Sequence, residues 1–198
     1  MRAADDFNFI SQRMGMLKSS ISDDIVIPKS WTSVLKAIQQ QPNWSTAIIA
    51  GGALRDSDNE RPIKDVDIFV PYAENSFERL ISATGKHDLT KVGHNKKLIT
   101  STGANIDPVH FTFKLDGWKV EVSQKVCHDF DYLKLLEGFD IGLCMISYDG
   151  NDIYKSQEYI KDKDNKTITI VRPTGGGEMT HAERIQKKYP NWTIIPLP

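Results

Sequence analysis

Residues 48 to 70 read IIAGGALRDSDNERPIKDVDIFV, and the fold turns on how this stretch is parsed. The apolar run through Ile48 and Ile49 breaks at Gly51-Gly52, which predicts a strand feeding a glycine turn and a short helix. KDVDIFV follows, bounded by Pro62 and Pro71, and predicts a second strand. Strand alternation sends Asp65 and Asp67 to one face and Val66 and Ile68 to the core. Two neighbouring carboxylates repel, so such a pair is stable mainly beside a cation, and hard oxygen donors favour Mg²⁺ or Mn²⁺ over zinc. A lone DxD is more often a solvated strand face, and a lone Gly-Gly more often a tight turn. Here they are coupled, with Gly52 thirteen residues before Asp65. Glycines let backbone N–H groups approach phosphate oxygens, and the helix beyond favours negative charge. Together they describe a place for a triphosphate between a glycine turn and a metal-bearing strand.

Outward from this stretch, helices and strands alternate. WTSVLKAIQQQ has Trp31, Val34, Leu35 and Ile38 at helical spacing, with Ser30 as the expected N-cap and a stop at Pro42. ENSFERLISAT is a second helix. VHFTFKL and WKVEVSQ flank Asp116-Gly117, the strongest hairpin signal in the chain, because both turn positions want positive φ. In its second arm Lys119, Glu121 and Ser123 share a polar face. DFDYLKLLEGF is read as a helix, DIGLCMISYDG as one buried strand, KTITIVR as another strand, and THAERIQKKYP as a terminal helix after Gly175-Gly176-Gly177. The pattern predicts an α+β (mixed α/β) domain with a small mixed sheet flanked by helices. Residues 1–28 form a lead-in with one helical turn around Phe9 to Leu17, residues 29–172 the main domain, and residues 173–198 a C-terminal helical appendage.

GGALRD followed by RPIKDVDIFV resembles the nucleotidyltransferase superfamily typified by DNA polymerase beta, and most closely the head domain of tRNA CCA-adding enzymes and bacterial poly(A) polymerases. Small phage and viral nucleotidyltransferases look similar too. The resemblance implies a polymerase beta-like fold and transfer of a nucleoside monophosphate from an NTP such as ATP to a hydroxyl acceptor, an RNA 3′ end being favoured, with release of pyrophosphate. It implies Mg²⁺ or Mn²⁺ held by Asp65, Asp67 and a third carboxylate on a neighbouring strand. Glu121 is the first choice for that third acid, and Asp140 the alternative. It also implies a nucleotide-binding set of Gly51, Gly52, Arg55, Asp56 and Lys64, with Arg55 near the triphosphate or sugar and Asp56 holding the turn. Lys96 and Lys97, with Arg184, Lys187 and Lys188, would face an RNA or tRNA-like acceptor. The chain departs from CCA-adding enzymes in having about 50 residues after Ser147 and PYAENSFERL in place of an Arg-Arg pair, so base preference and acceptor stay open.

Composition agrees with an ordinary soluble protein: 198 residues, 25 Lys+Arg against 26 Asp+Glu, and 39% hydrophobic. No stretch approaches the roughly 20 apolar residues that span a bilayer, and residues 1–13 lack a signal-peptide core, so a cytoplasmic protein without membrane contact is expected. Cys127 and Cys144 stand alone, and the five histidines show no metal-ligand spacing. Basic residues gather at 86–97, and eight face five acidic ones from Lys155 onward, short of a dedicated nucleic-acid arm. Two other readings fit the same residues. One is a catalytically silent nucleotide-binding or phage-encoded interaction protein; the other is a transferase that modifies a protein or small molecule. The sequence leaves the oligomeric state undetermined.

Overall fold

A computed structural model describes residues 17–19, 25–85, 90–93, 98–99, 105–106, 109–125, 132–173 and 180–197. The first helix, α1 (Lys29–Gln39), buries Trp31, Val34, Leu35 and Ile38, the four residues that its periodicity singles out. Its N-cap is Pro28, with Ser30 already inside the first turn, so the expected serine cap is not used. Proline's fixed φ suits the entry to a helix and makes the serine cap dispensable.

Strands β2 (Ile48–Ala50) and β3 (Asp65–Pro71) flank α2 (Gly52–Asp58) and pair antiparallel, with Ile48 opposite Phe69. The hairpin is present as β7 (Val109–Leu115) and β8 (Trp118–Lys125), turning through Asp116 at φ 49° and Gly117 at φ 87°. Strand β3 pairs parallel with β8, which requires a crossover; α3 (Ser76–Thr84) and β4 (Thr90–Gly93) lie within it. With β1 (Leu17–Ser19), β9 (Ile146–Tyr148) and β10 (Ile153–Lys155), the sheet runs β1-β10-β9-β2-β3-β8-β7-β4. Short strands β5 (Leu98–Ile99) and β6 (Asn105–Ile106) pair with each other.

One sheet face carries Val66, Ile68, Val70, Val120 and Val122 into a core shared with Trp31, Leu35, Trp44 and Leu80. Among the described residues the other face is covered only in part. There Phe69 packs with Ile48, Ala50, Leu136 and Phe139, the last two from α4 (Tyr132–Glu137) and the turn after it. Among the described residues the rest of that face borders a cleft. Among the described residues no helix is long and apolar enough to cross a membrane.

DIGLCMISYDG does not form one strand. Ile141 makes an isolated bridge to Ile170, residues Gly142–Cys144 make a 3-10 turn, and only Ile146–Tyr148 joins the sheet. The 3-10 turn packs against α5 (Gln157–Asn165), a helix the periodicity does not announce. Its Asp162 is buried and accepts hydrogen bonds from the Thr167 and Thr169 hydroxyls and the Thr169 N–H, at 2.6–3.0 Å. KTITIVR contributes β11 (Thr167–Thr169), which pairs parallel with β12 (Thr193–Ile195) rather than joining the main sheet. The terminal helix α6 (His181–Lys188) starts with a full Thr180/Glu183 capping box. Ala182, Ile185, Tyr189 and Trp192 all enter the main core, so the 180–197 segment shares the hydrophobic interior of the domain. The helical turn expected around Phe9 lies outside the described residues except for Leu17, which is in β1. The triple glycine at 175–177 and Cys127 also lie outside them.

A Cβ at Gly142 would stand 2.8 Å from Asp162 Oδ2 and 3.1 Å from Glu158 Cβ. Gly142→Ala should therefore lower the unfolding free energy by about 1–3 kcal/mol, read as a lower denaturant midpoint at unchanged slope. A wild-type midpoint would mean that α5 does not press on this turn.

Candidate functional site

The site starts from a register. Parallel pairing sets Asp67 of β3 directly beside Glu121 of β8, and Asp65 beside Lys119. Paired residues point to the same side of a sheet, so the two aspartates and Glu121 share one face while Val66, Ile68, Val120 and Val122 line the other. The alternation within β3 is strict, with buried residues at 66, 68 and 70.

Electrostatic repulsion in this cluster is visible in Asp67. Burial, then the charges of Asp65 and Glu121, push its pKa up to about 6. Two ammonium groups partly offset the excess charge: Lys119 hydrogen-bonds Glu121, and Lys64 Nζ lies 3.5 Å from Asp65 Oδ2. Both lysines are largely exposed. Among the described residues, no three carboxylate, imidazole or thiol side chains are drawn together closely enough to hold a metal as they stand. The donors are nonetheless hard oxygens, crowded and short of positive charge, a chemistry that suits a hard divalent cation once Lys119 releases Glu121.

The glycine turn closes one end of the same cleft. Gly51 has φ +82° and ψ −128°, a conformation that side chains disfavour, and a Cβ there would meet the Phe139 ring at 3.3 Å. Gly52 opens α2, and a Cβ on it would have only Arg55 Nη2 nearby, at 3.6 Å. The cleft measures about 740 Å³; its walls include both glycines, Arg55, Lys64, Asp65 and Asp67.

Arg55, expected near the triphosphate or sugar, lines the cleft and is held there by other side chains. It is 5% exposed, donates from Nε to Asp56 Oδ1 at 2.7 Å and from Nη1 to Cys144 Sγ at 3.1 Å. Asp56, 1% exposed, also accepts from the Tyr189 hydroxyl at 2.9 Å and pairs with Lys188. Asp56 thus ties the helix after the glycine turn to the C-terminal helix. Lys188 is held in this pair and forms part of the cleft wall. Arg184 lines the cleft too, whereas Lys187 is exposed and is not among the residues lining it. Lys96 and Lys97 lie outside the described residues.

Asp140, the alternative third acid, lies in the cleft but belongs to a different cluster. Its carboxylate meets His181 Nδ1 at 2.9 and 3.0 Å. Although burial alone would raise it, the His181 hydrogen bond and charge hold the Asp140 carboxyl below the usual carboxylate range. Asp140 is not among the main charges acting on Asp67, whereas Glu121 is. Sequence reasoning missed Phe69, Phe139, Lys125 and His181 as cleft residues. Phe69 was readable, since it continues the 65, 67 alternation. The pairing of His181 with Asp140 spans 41 positions and has no local signal.

Known structures share this arrangement of elements. A CCA-adding enzyme in complex with ATP matches at TM-score 0.63 and 15% identity, covering 90% of this chain and 42% of that one. A tRNA-processing enzyme in an apo form matches at TM-score 0.58 and 16% identity, covering 86% and 45%. The Thermotoga maritima CCA-adding enzyme complexed with tRNA_CCA matches at TM-score 0.56 and 17% identity, covering 79% and 37%. At these identities the likeness establishes a nucleotidyltransferase-like fold, and the chain spans less than half the length of each of those proteins. A comparison with curated proteins finds no match. One family model, described as Gad2, Gabija anti-defense 2 family protein, matches residues 25–166, most of the described core and every acid of the β3–β8 pair. The chain belongs to the Gabija anti-defense 2 family.

Proposed function

We propose that this protein is a metal-dependent nucleotidyltransferase that counters Gabija defence by moving a nucleoside monophosphate from an NTP to a hydroxyl acceptor, with release of pyrophosphate. The observation that carries the reading is the β3–β8 register, which aligns Asp67 with Glu121 on the face that also bears Asp65, while Asp65 and Asp67 line one cleft with Gly51 and Gly52. Asp65, Asp67 and Glu121 would hold Mg²⁺ or Mn²⁺, and the ion would supply charge neutralisation for the triphosphate and polarise the attacking oxygen. The backbone of Gly51 and Gly52 would face the phosphates, with Lys64 and Lys125 supplying positive charge at the rim. Arg55 and Asp56 would act from beneath, by fixing the turn. An RNA 3′ hydroxyl is the first acceptor to test, with Arg184 the cleft cation nearest to that role; a protein or small-molecule hydroxyl is the alternative acceptor.

A second reading, a silent module that acts by binding, draws on the Lys119–Glu121 pair, which occupies the third acid. Transfer assays separate the two. Asp65→Ala, Asp67→Ala and Glu121→Ala should each abolish Mg²⁺-dependent transfer of label from α-labelled ATP while leaving the protein folded. Retention of wild-type turnover in any of them would remove that acid from the site.

Gly52 offers a clean probe of the phosphate side, because the space around its Cβ position is open apart from Arg55. Gly52→Val should fold and yet bind ATP more than tenfold more weakly, above about 1.4 kcal/mol. Unchanged ATP titrations would return the pair of glycines to an ordinary turn.

The repulsion around Asp67 predicts a pH dependence in metal-free protein. The folded chain keeps the Asp67 proton up to about pH 6, whereas an unfolded chain releases it near about pH 4. Between these values the folded state binds more protons, so this group's contribution to stability falls as pH rises and stays low above the window. Asp67→Asn should flatten that fall and raise the melting temperature at pH 7.5 by at least about 2 °C. Equal melting temperatures at pH 7.5 would contradict the crowded-acid account.

A further inference from the structure

His181 and Asp140 line the cleft that holds Asp65 and Asp67, but they are organised separately from them. The Asp140 carbonyl accepts from Val171 N–H at 2.9 Å and from Arg172 N–H at 3.3 Å, which anchors the loop. His181 opens α6, whose first turn is fixed by Thr180 and Glu183: the Glu183 N–H donates to Thr180 Oγ1, and Glu183 Oε2 accepts from the Thr180 N–H at 2.8 Å. Both partners of the pair are therefore held by backbone interactions of their own. An ionised carboxylate can only accept, so Nδ1 of His181 carries the hydrogen shared with Asp140. In the neutral ring Nε2 is then a proton acceptor, and among the described residues it makes no hydrogen bond.

On the nucleotidyl-transfer reading, on which this inference rests, all three acids of the β3–β8 pair serve the cation. The acceptor hydroxyl must still lose its proton. We propose that His181, oriented by Asp140, takes that proton. The hydroxyl oxygen forms a bond to the α-phosphorus. The bond from that phosphorus to the bridging oxygen breaks, and its electron pair leaves with pyrophosphate. The hydroxyl proton passes to Nε2, and Asp140 stabilises the imidazolium so formed before the proton is returned to solvent. Carboxylate–imidazole pairs fix the tautomer and stabilise the charged ring in this way, and positioned bases of this kind contribute about 10²–10⁴-fold to rate.

The test uses the full chain with Mg²⁺, ATP and a single-stranded RNA carrying a free 3′ hydroxyl, reading pyrophosphate release alongside ATP affinity and melting temperature. His181→Asn retains a donor for Asp140 but has no basic nitrogen. It should lose at least roughly 100-fold in turnover with ATP affinity and melting temperature unchanged, and added imidazole should restore turnover to His181→Ala but not to Asp67→Ala. Wild-type turnover in His181→Asn would overturn the inference and leave the transferase reading intact. Loss of ATP affinity in step with turnover would also overturn it, by making His181 part of the nucleotide-binding wall. A wild-type protein that binds ATP but releases no pyrophosphate with this RNA would end the reading of an RNA acceptor and this inference with it.

Discussion

The parallel pairing of Asp65–Pro71 with Trp118–Lys125 is the constraint on which the rest depends. Because it is parallel, the chain must leave β3, cross over and return, and the intervening hairpin fixes where it returns. Because the register is Asp67 to Glu121, the crossover delivers an acid to the side of two others instead of a valine. A slip of one residue would turn Val120 or Val122 toward the cleft and Glu121 toward the core. The turn at Asp116-Gly117, with both residues at positive φ, fixes the register of β8 against β7 on its other side. Burial and then the neighbouring carboxylates raise the pKa of Asp67, and lysines lean toward Asp65 and Glu121.

A second set of carboxylates does the opposite work, holding the fold together by being fully satisfied. Asp56 gathers Arg55, Lys188 and Tyr189. Asp58 gathers Lys155, Lys163 and the Tyr159 hydroxyl, whose pKa is raised by burial and by that carboxylate. Asp162 gathers two threonines. Buried charges are tolerable only when paired and hydrogen-bonded, and each of these has at least two partners. Through Asp56 the short helix after the glycine turn is fastened to the C-terminal helix, so the turn and the far wall of the cleft are positioned by one buried carboxylate. The same arrangement holds Arg55 and Lys188, both expected at the ligand, in the wall of the cleft.

What the sequence made legible was what is local. The glycine turn, the alternation of β3, the Asp-Gly hairpin and the periodicity of α1 each lie within a few residues, and Glu121 followed from the face it shares with Lys119 and Ser123. What stayed hidden depends on distant contacts. The 3-10 turn at Gly142 answers to Asp162, the terminal helix is held by Tyr189 and Trp192 in the core, and His181 meets Asp140 across 41 positions. The helix Gln157–Asn165 was concealed by a polar composition, QEYIKDKDN, in which only Tyr159 and Asp162 are buried; its Ser156 cap, accepting from Tyr159 N–H at 3.0 Å, was the one local signal available.

The most direct measurement follows the two ends of the triphosphate separately in the wild-type protein with Mg²⁺. With α-labelled ATP, the label should become attached to an acceptor in an acid-stable form; with γ-labelled ATP, the label should leave as pyrophosphate at the same rate. Recovery of both labels as intact ATP, bound or free, would contradict nucleotidyl transfer and leave the acid face of the β3–β8 pair as a binding surface.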